Sequence, residues 1–215
     1  DIGKFPKRLA PISRRPKLTD LNESITFSEI AELLNKLNLS IYTPSLYIYD
    51  SAKEDYKINM EGSGLSIDGR EKGLRKLMAT NLLKRLESSV NSFRLTLKRI
   101  QEYIDKTLGI IESDDYTGFM DVADFTEDYD SADSENDPFV GKKSKIDFRD
   151  IDVVRWAKDL RSDKECLDLL QLMLKDISPE HDTKLQMLIE DLKHKFQNPI
   201  NDGNKKVLIF TAFAD

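Results

Sequence analysis

The sequence predicts a mainly α-helical fold: a helical bundle with one very long helix, plus an isolated C-terminal strand from a truncated α/β lobe. Residues 68–111 contain no proline and carry apolar side chains at helical spacing. Two more stripes of that spacing follow a long acidic stretch. The last apolar run, residues 207–211, does not alternate with polar residues, which is typical of a strand buried on both faces.

Composition limits the class of protein. Of the 215 residues, 39% are hydrophobic and 33% are charged, which fits a folded, highly charged domain. A single cysteine excludes a disulfide framework. Because the sequence contains only two histidines in addition, a zinc cluster is improbable. No apolar run approaches the ~20 residues that a membrane helix needs. We therefore expect a cytoplasmic protein without membrane contact.

The net charge of −6 is unevenly distributed. Residues 1–110 carry +5, residues 111–140 carry −11 and residues 141–215 are neutral, so that 5 − 11 + 0 gives −6. The sequence predicts an acidic mobile loop over residues 112–141. A solvated insertion and a DNA-mimicking flap over a basic groove are both open interpretations. A calcium loop is disfavoured, because the Asp-x-Asp-x-Asp-Gly order and the closing Glu are missing.

Residues 1–20 predict an extended basic arm. Pro6, Pro11 and Pro16 recur every five residues and prevent a helix. The arm is either a solvated linker or a strand that contacts phosphates along a nucleic-acid groove. Its candidate phosphate-binding residues are Lys4, Lys7, Arg8, Arg14, Arg15 and Lys17.

Residues 21–200 predict the helical bundle. Thr26 and Glu29 form a capping box before the first helix, which ends near Asn38. The aromatic residues 42–49 are expected to be extended or turn-like and to pack against helices rather than stack on bases. The longest helix starts near Asp68 and runs about 40 residues, or about 60 Å. Apolar residues spaced three and four apart form a seam along this helix, which predicts a partner helix. The seam consists of Leu83, Leu86, Val90, Phe93, Leu97, Ile100, Ile104 and Ile111.

Two later helices are expected to supply antiparallel partners for that seam. In the first, Trp156 sits off the apolar stripe, which predicts a half-buried side chain. The second is expected to start at a Ser178-Pro179 cap and to end near Gln197. The stripe of the first helix consists of Ile151, Val154, Ala157, Leu160, Leu167, Leu170, Leu174 and Ile177.

The sequence predicts no catalytic residue. It contains no phosphate-binding loop, no dinucleotide fingerprint and no His-Glu-x-x-His. Cys166 lies in a Leu-rich helix and is expected to be a buried small hydrophobe. His181 and His194 have no acidic or nucleophilic partner at a recognisable spacing. We expect these residues alone to be inactive.

Three stretches resemble the Swi/Snf-type ATPases of helicase superfamily two. Residues 4–8 resemble the segment that leaves the family's first helical insertion, and residues 81–97 resemble the long helix of a bacterial helicase-like subgroup. Residues 182–188 with 206–215 resemble the helix and strand that open the second RecA-like lobe. The first lobe with its nucleotide loop and the later motifs with the arginine finger are missing from these residues.

The resemblance implies the linker-and-insertion region of an ATP-driven DNA translocase. It implies ATP and Mg²⁺ as cofactors of the parent enzyme, and double-stranded DNA and the RecA-like lobes of the same chain as partners. Residues 201–215 would open the second lobe, and Thr211 and Phe213 would lie near the nucleic-acid path. The alternatives are a helical protein–protein interaction module that uses the seam over residues 86–104, and an autoinhibitory module in which the acidic loop occupies the basic groove.

Overall fold

A computed structural model describes residues 5–21, 25–58, 67–113, 119–121 and 145–211. The predicted mainly helical bundle is confirmed. Within that part of the chain the helices are α1 (Phe27–Lys36), α2 (Lys53–Ile58), α3 (Ile67–Ser88), α4 (Val90–Glu112), α5 (Val153–Leu174) and α6 (Thr183–Gln197). Two short strands, β1 (Phe119–Asp121) and β2 (Lys145–Asp147), pair with each other in antiparallel orientation. In their register Phe119 lies opposite Asp147. Most of the acidic loop predicted over residues 112–141 lies outside the described residues.

Helix α1 begins as its sequence predicts. The Thr26 hydroxyl accepts a hydrogen bond from the Glu29 amide at 3.2 Å, and the Glu29 carboxylate accepts one from the Thr26 amide at 3.0 Å. This capping box satisfies two amides that the helix itself leaves without partners. The helix buries Ile30 and Leu34 against the core and ends at Lys36.

The predicted 40-residue helix is wrong, because it breaks at Ser89. Ser89 is extended, with φ −158° and ψ 130°, and its hydroxyl accepts a hydrogen bond from the Ser92 amide at 3.3 Å. A serine in this geometry is a helix N-cap, so one helix ends at Ser88 and a new one begins at Val90. The change of direction lets α3 pack against α1 while α4 packs along α5.

The seam of α4 is covered within the chain. Phe93, Leu97, Ile100 and Ile104 are almost fully buried, and α5 is the partner that the heptad-like spacing requires. Polar contacts flank the same pair of helices: Arg161 bonds Glu112 at 2.9 Å, and Lys164 pairs with Asp105. A protein partner on this seam would have to displace α5.

Two predictions about α5 are wrong. Trp156 is fully buried rather than half-buried, and its indole Nε1 donates a hydrogen bond to the carbonyl of Ser40 at 2.9 Å. Val154, assigned to the apolar stripe, is 79% exposed. The buried face is therefore rotated towards Trp156 at the start of the helix, and Phe148 and Tyr47 lie against the indole ring with centroids about 6 Å away.

A buried carboxylate holds the chain between α1 and the next turn. Asp163 accepts hydrogen bonds from the amides of Asn38 and Ser40, both at 2.7 Å, and is 2% exposed. Between them Leu39 has φ 52°, a left-handed conformation that is uncommon for a leucine. Burial raises the pKa of Asp163, against the lowering effect of these amide donors. The clamp therefore fixes a strained residue in place at some electrostatic cost.

The aromatic segment forms two 3₁₀ turns, Ser40–Tyr42 and Pro44–Tyr47, rather than an extended chain. The packing prediction is confirmed for Tyr42 and Tyr47, which are both buried. The Tyr47 hydroxyl donates to Asp159 at 2.8 Å, and burial raises the pKa of Tyr47 to about 12. Tyr49, in contrast, is exposed.

Helix α6 is attached differently from the other long helices. It begins at Thr183 with Asp182 as its N-cap, so the cap predicted at Ser178-Pro179 is wrong. None of its residues is buried. It is therefore not the second seam partner that the sequence predicted, and α5 fills that role.

Candidate nucleic-acid interface

The basic arm is anchored where it leaves the bundle. Leu18 and Thr19 are buried, and Thr19 forms an isolated antiparallel bridge with Asp182 at the start of α6. Asp20 lies next to it, with its carboxylate 2.8 Å from Nδ1 of His181. His181 therefore has an acidic partner, which comes from a residue 161 positions away and could not be recognised from a sequence spacing.

From this anchor the arm runs antiparallel to α6. The carbonyl of Lys17 accepts a hydrogen bond from the Thr183 hydroxyl, and Arg14 bonds Asp191 at 2.8 Å. Further along, the Lys7 amide donates to Oδ1 of Asn201 at 2.7 Å, and Nδ2 of Asn201 donates back to the Lys7 carbonyl at 3.2 Å. The three prolines explain the extended path, because proline excludes helix for itself and disfavours it for the residue before it.

The arm and α6 together form a positively charged side of the molecule. Residues 5–20 contain five Lys/Arg and one acid, and residues 181–211 contain five Lys/Arg and four acids. Their sum, 4 + 1, is +5, although the whole chain carries −6. All five cationic residues of the arm are exposed. We call this side, residues 5–20 with 181–211, the arm–α6 face.

The arm–α6 face also exposes apolar side chains. On the arm, Phe5 is 87% exposed, and on α6 Leu188 and Phe196 are exposed. In the segment after α6, Leu208 is 81% and Phe210 is 89% exposed. With these exposed apolar side chains beside its cations, the face has the composition of a surface that another structure covers.

The predicted C-terminal strand is not formed within the described residues. Residues 204–211 have no regular secondary structure and are exposed. The segment is held at its start, where Nζ of Lys195 bonds the Asn204 carbonyl at 3.0 Å. A strand needs a hydrogen-bonded neighbour, and that part of the chain supplies none.

The sequence-predicted site residues are brought together only in part. Lys7, Arg14 and Lys17 line up along α6, and Arg14 is committed to an ion pair. Arg8 and Arg15 project from the same arm as exposed cations. Thr211 is exposed at the end of the described chain, and Lys4 and Phe213 lie outside the described residues.

The residues in α6 and after it that position the arm could not be predicted from the sequence. Asp191 and Asn201 hold it by polar contacts over more than 170 positions of sequence. The only available signal was the mixed charge of the outer face of α6, with Lys184, Lys193 and Lys195 beside Glu190 and Asp191. Surface helices commonly carry such a pattern, so it does not point to an arm.

The described residues contain no other candidate centre of chemistry. Cys166 packs against the core and its thiol donates to the Leu33 carbonyl at 3.4 Å, although the residue is partly buried rather than buried as predicted. Burial raises the pKa of its thiol, which disfavours the reactive thiolate. In this part of the chain no group of three or more His, Cys, Asp or Glu side chains is placed to hold a metal ion. None of the described helices combines the length and the apolar character needed to cross a bilayer.

Comparisons with known proteins return no match, whether to family models, to curated proteins or to solved structures. The resemblance to Swi/Snf-type ATPases therefore stays a prediction from the residues quoted above.

Proposed function

We propose that this chain is the helical linker and insertion region of a cytoplasmic ATP-dependent DNA translocase or helicase-like enzyme. In this role it braces the two RecA-like lobes of the same chain and extends the DNA groove. ATP and Mg²⁺ would bind in the lobes, and the region itself would be inactive alone. The observation that carries the proposal is the arm–α6 face, where an extended basic arm lies on a helix that has no buried residue.

The geometry of the arm suits a phosphate backbone. Lys7 to Lys17 spans ten residues of extended chain, or about 30 Å, which is close to the ~34 Å of one helical turn of B-DNA. Its cations are exposed and residues 5–17 contain no acid. Contacts of this kind position a protein on DNA without reading its bases.

The apolar part of the same face supports contact with folded lobes. Val207, Ile209 and Phe210 are apolar and exposed, and a strand of that composition is stable only when a sheet and its helices cover it. Docking of the arm–α6 face on a lobe would bury both the segment and the outer side of α6.

The α4–α5 pair supports a bracing role. The two helices have 23 and 22 residues, or about 34 Å each, and pack along a continuous apolar seam. Such a pair transmits a rotation as a rigid body, because packed helices do not deform continuously. The break at Ser89 means that the rigid element is this pair and not a single 60 Å rod.

A DNA-binding measurement tests the proposal. Fluorescence anisotropy with a labelled 25-base-pair duplex is measured for the native chain and for Lys7→Gln/Arg8→Gln/Arg15→Gln. The matched control removes three exposed cations elsewhere, as Arg99→Gln/Lys106→Gln/Lys158→Gln. We expect the arm variant to lose affinity at least tenfold more than the control at low salt, since each phosphate contact contributes about −0.9 to the slope of log K against log salt. Equal loss in both variants would contradict a DNA-contacting arm.

The exposed apolar residues favour a second candidate, a helical protein–protein interaction module. Its partner would dock on the arm–α6 face, because α5 already covers the seam over residues 86–104. Sedimentation equilibrium separates the two functions. A salt-insensitive dimer that Phe210→Asp abolishes, in a chain that does not bind the duplex, would favour the interaction module over the translocase.

A further inference from the structure

The turn after α6 holds the outer end of the arm through one side chain. Oδ1 of Asn201 accepts a hydrogen bond from the Lys7 amide at 2.7 Å, and Nδ2 of Asn201 donates to the Lys7 carbonyl at 3.2 Å. A side-chain amide carries a donor and an acceptor in one plane. It therefore occupies both main-chain groups of Lys7, as the facing residue of a neighbouring strand does in a hydrogen-bonded pair.

The turn that carries Asn201 is closed by its own hydrogen bonds. The Asn201 carbonyl accepts from the Asn204 amide at 3.0 Å, which is the bond of a four-residue turn. Gly203 has φ 73°, a left-handed conformation that glycine adopts without steric cost. From the last turn of α6, Nζ of Lys195 donates to the Asn204 carbonyl at 3.0 Å. The Asn201 side chain therefore belongs to a turn that is attached to the helix.

Other attachments of the outer arm are weaker. The Arg14–Asp191 ion pair lies seven residues further along, and both of its side chains are about half exposed. Ion pairs at exposed positions stabilise by little. The large apolar side chains of residues 5–12 are all exposed, so burial does not hold this segment on α6. Among the described contacts, the two Asn201 bonds therefore attach the part of the arm that contains Lys7 and Arg8.

We propose that Asn201 is the positioning residue of the basic arm. It acts through Lys7: by holding the Lys7 main chain it keeps the cations of Lys7 and Arg8 in extended order on the arm–α6 face before DNA arrives. An arm that is already ordered loses less conformational entropy on binding. An uncharged side chain thus sets the affinity for phosphate without adding a phosphate contact. This inference rests on the proposed function, because it names the residue that prepares the same face for DNA.

The first measurement uses the full chain without DNA. Order parameters from ¹⁵N relaxation are compared for the native chain, for Asn201→Ala and for Asn91→Ala, a control that removes an exposed asparagine side chain from α4. We expect the order parameters of residues 7–10 to fall from about 0.85 to below about 0.6 in Asn201→Ala. They should stay native in Asn91→Ala. Native order in the arm of Asn201→Ala would overturn the inference, whatever the result with DNA.

The second measurement is anisotropy with the labelled duplex over a series of salt concentrations. We expect Asn201→Ala to bind about five- to tenfold more weakly than the native chain, because two hydrogen bonds no longer hold the arm. The slope of log K against log salt should stay within about 0.5 of the native slope, because the phosphate contacts are the same. Lys7→Gln/Arg8→Gln/Arg15→Gln, in contrast, should flatten that slope by about 0.9 for each lost contact.

The outcomes separate this inference from the proposed function. A native chain that does not bind the duplex refutes the proposed function, and the relaxation measurement then still decides whether Asn201 holds the arm. If the native chain binds, a loosened arm with native affinity in Asn201→Ala refutes only the positioning role. A slope that flattens in Asn201→Ala as in the cation variant would also overturn it, because the loss would then be one of phosphate contacts.

Discussion

The clamp at Asp163 allows the most detailed prediction of stability. Its carboxylate accepts hydrogen bonds from the buried amide of Ser40 and the partly buried amide of Asn38, each at 2.7 Å. A buried donor left without a partner costs about 1 to 3 kcal/mol. In Asp163→Asn the remaining carbonyl oxygen serves one amide while the side-chain NH₂ faces the other, so we expect a loss of about 1 to 3 kcal/mol.

Asp163→Ala leaves both amides without a partner and adds a small cavity. We expect a loss of about 3 to 5 kcal/mol. Relief of the desolvated charge and of the left-handed Leu39 keeps the loss below the sum of the separate penalties. Asp176 is exposed, and Asp176→Ala is the control. Its free energy of unfolding should stay within about 0.5 kcal/mol of the native value.

Urea unfolding measures these differences. The emission of Trp156, the single tryptophan, reports on the clamp directly because its indole bonds the carbonyl of Ser40. Circular dichroism at 222 nm follows the bundle as a whole. If Asp163→Ala and Asp163→Asn unfold at the native midpoint, or cost the same as Asp176→Ala, the clamp does not stabilise the fold as described.

Three other predictions follow from single features. Ser89→Ala removes the N-cap of α4 and should lower the free energy of unfolding in urea by about 1 kcal/mol. The neighbouring Ser88→Ala should cost less than half of that, and equal costs would contradict the capping role of Ser89. The partner Arg149 lowers the pKa of Asp147 to about 2, so the stability from this pair is present above pH 4 and is lost as the pH falls towards 2. Relative to the native chain, Asp147→Asn should therefore be less stable at pH 5, and the difference should shrink as the pH falls to 2; an unchanged difference would contradict the pairing. Because α6 buries none of its residues, its amides should exchange hydrogen at least tenfold faster than those of α5, and equal protection would show that α6 is held by more than the arm.

Local patterns were sufficient for most of the helices. The capping box of α1 depends on residues three apart, and the α4 seam depends on a repeat within one helix, so both are visible in sequence. The break at Ser89 also left a signal, because the apolar stripe before Leu83 is rotated relative to the stripe after it. A rotation of this kind is typical of a change of packing partner, and here it accompanies the break at the extended Ser89.

Long-range contacts could not be predicted. Asp163 occupies the gap in the apolar stripe between Leu160 and Leu167, and such a gap indicates a polar residue on the core face without naming its partner. The position of the arm depends on Asp191 and Asn201, which no periodicity connects to residues 7 and 14. The apolar run at 207–211 predicted a strand from its composition, but the strand also requires a neighbouring strand that the described residues do not contain.

The salt dependence of duplex binding by the native chain tests the central claim most directly. If the arm–α6 face contacts a phosphate backbone through three to five cations, log K should fall with log salt with a slope of about −3 to −4.5. The dissociation constant should be the same for unrelated duplexes of equal length, because backbone contacts carry no base information. A slope near zero, or no binding at low salt, would contradict the assignment of this face to DNA.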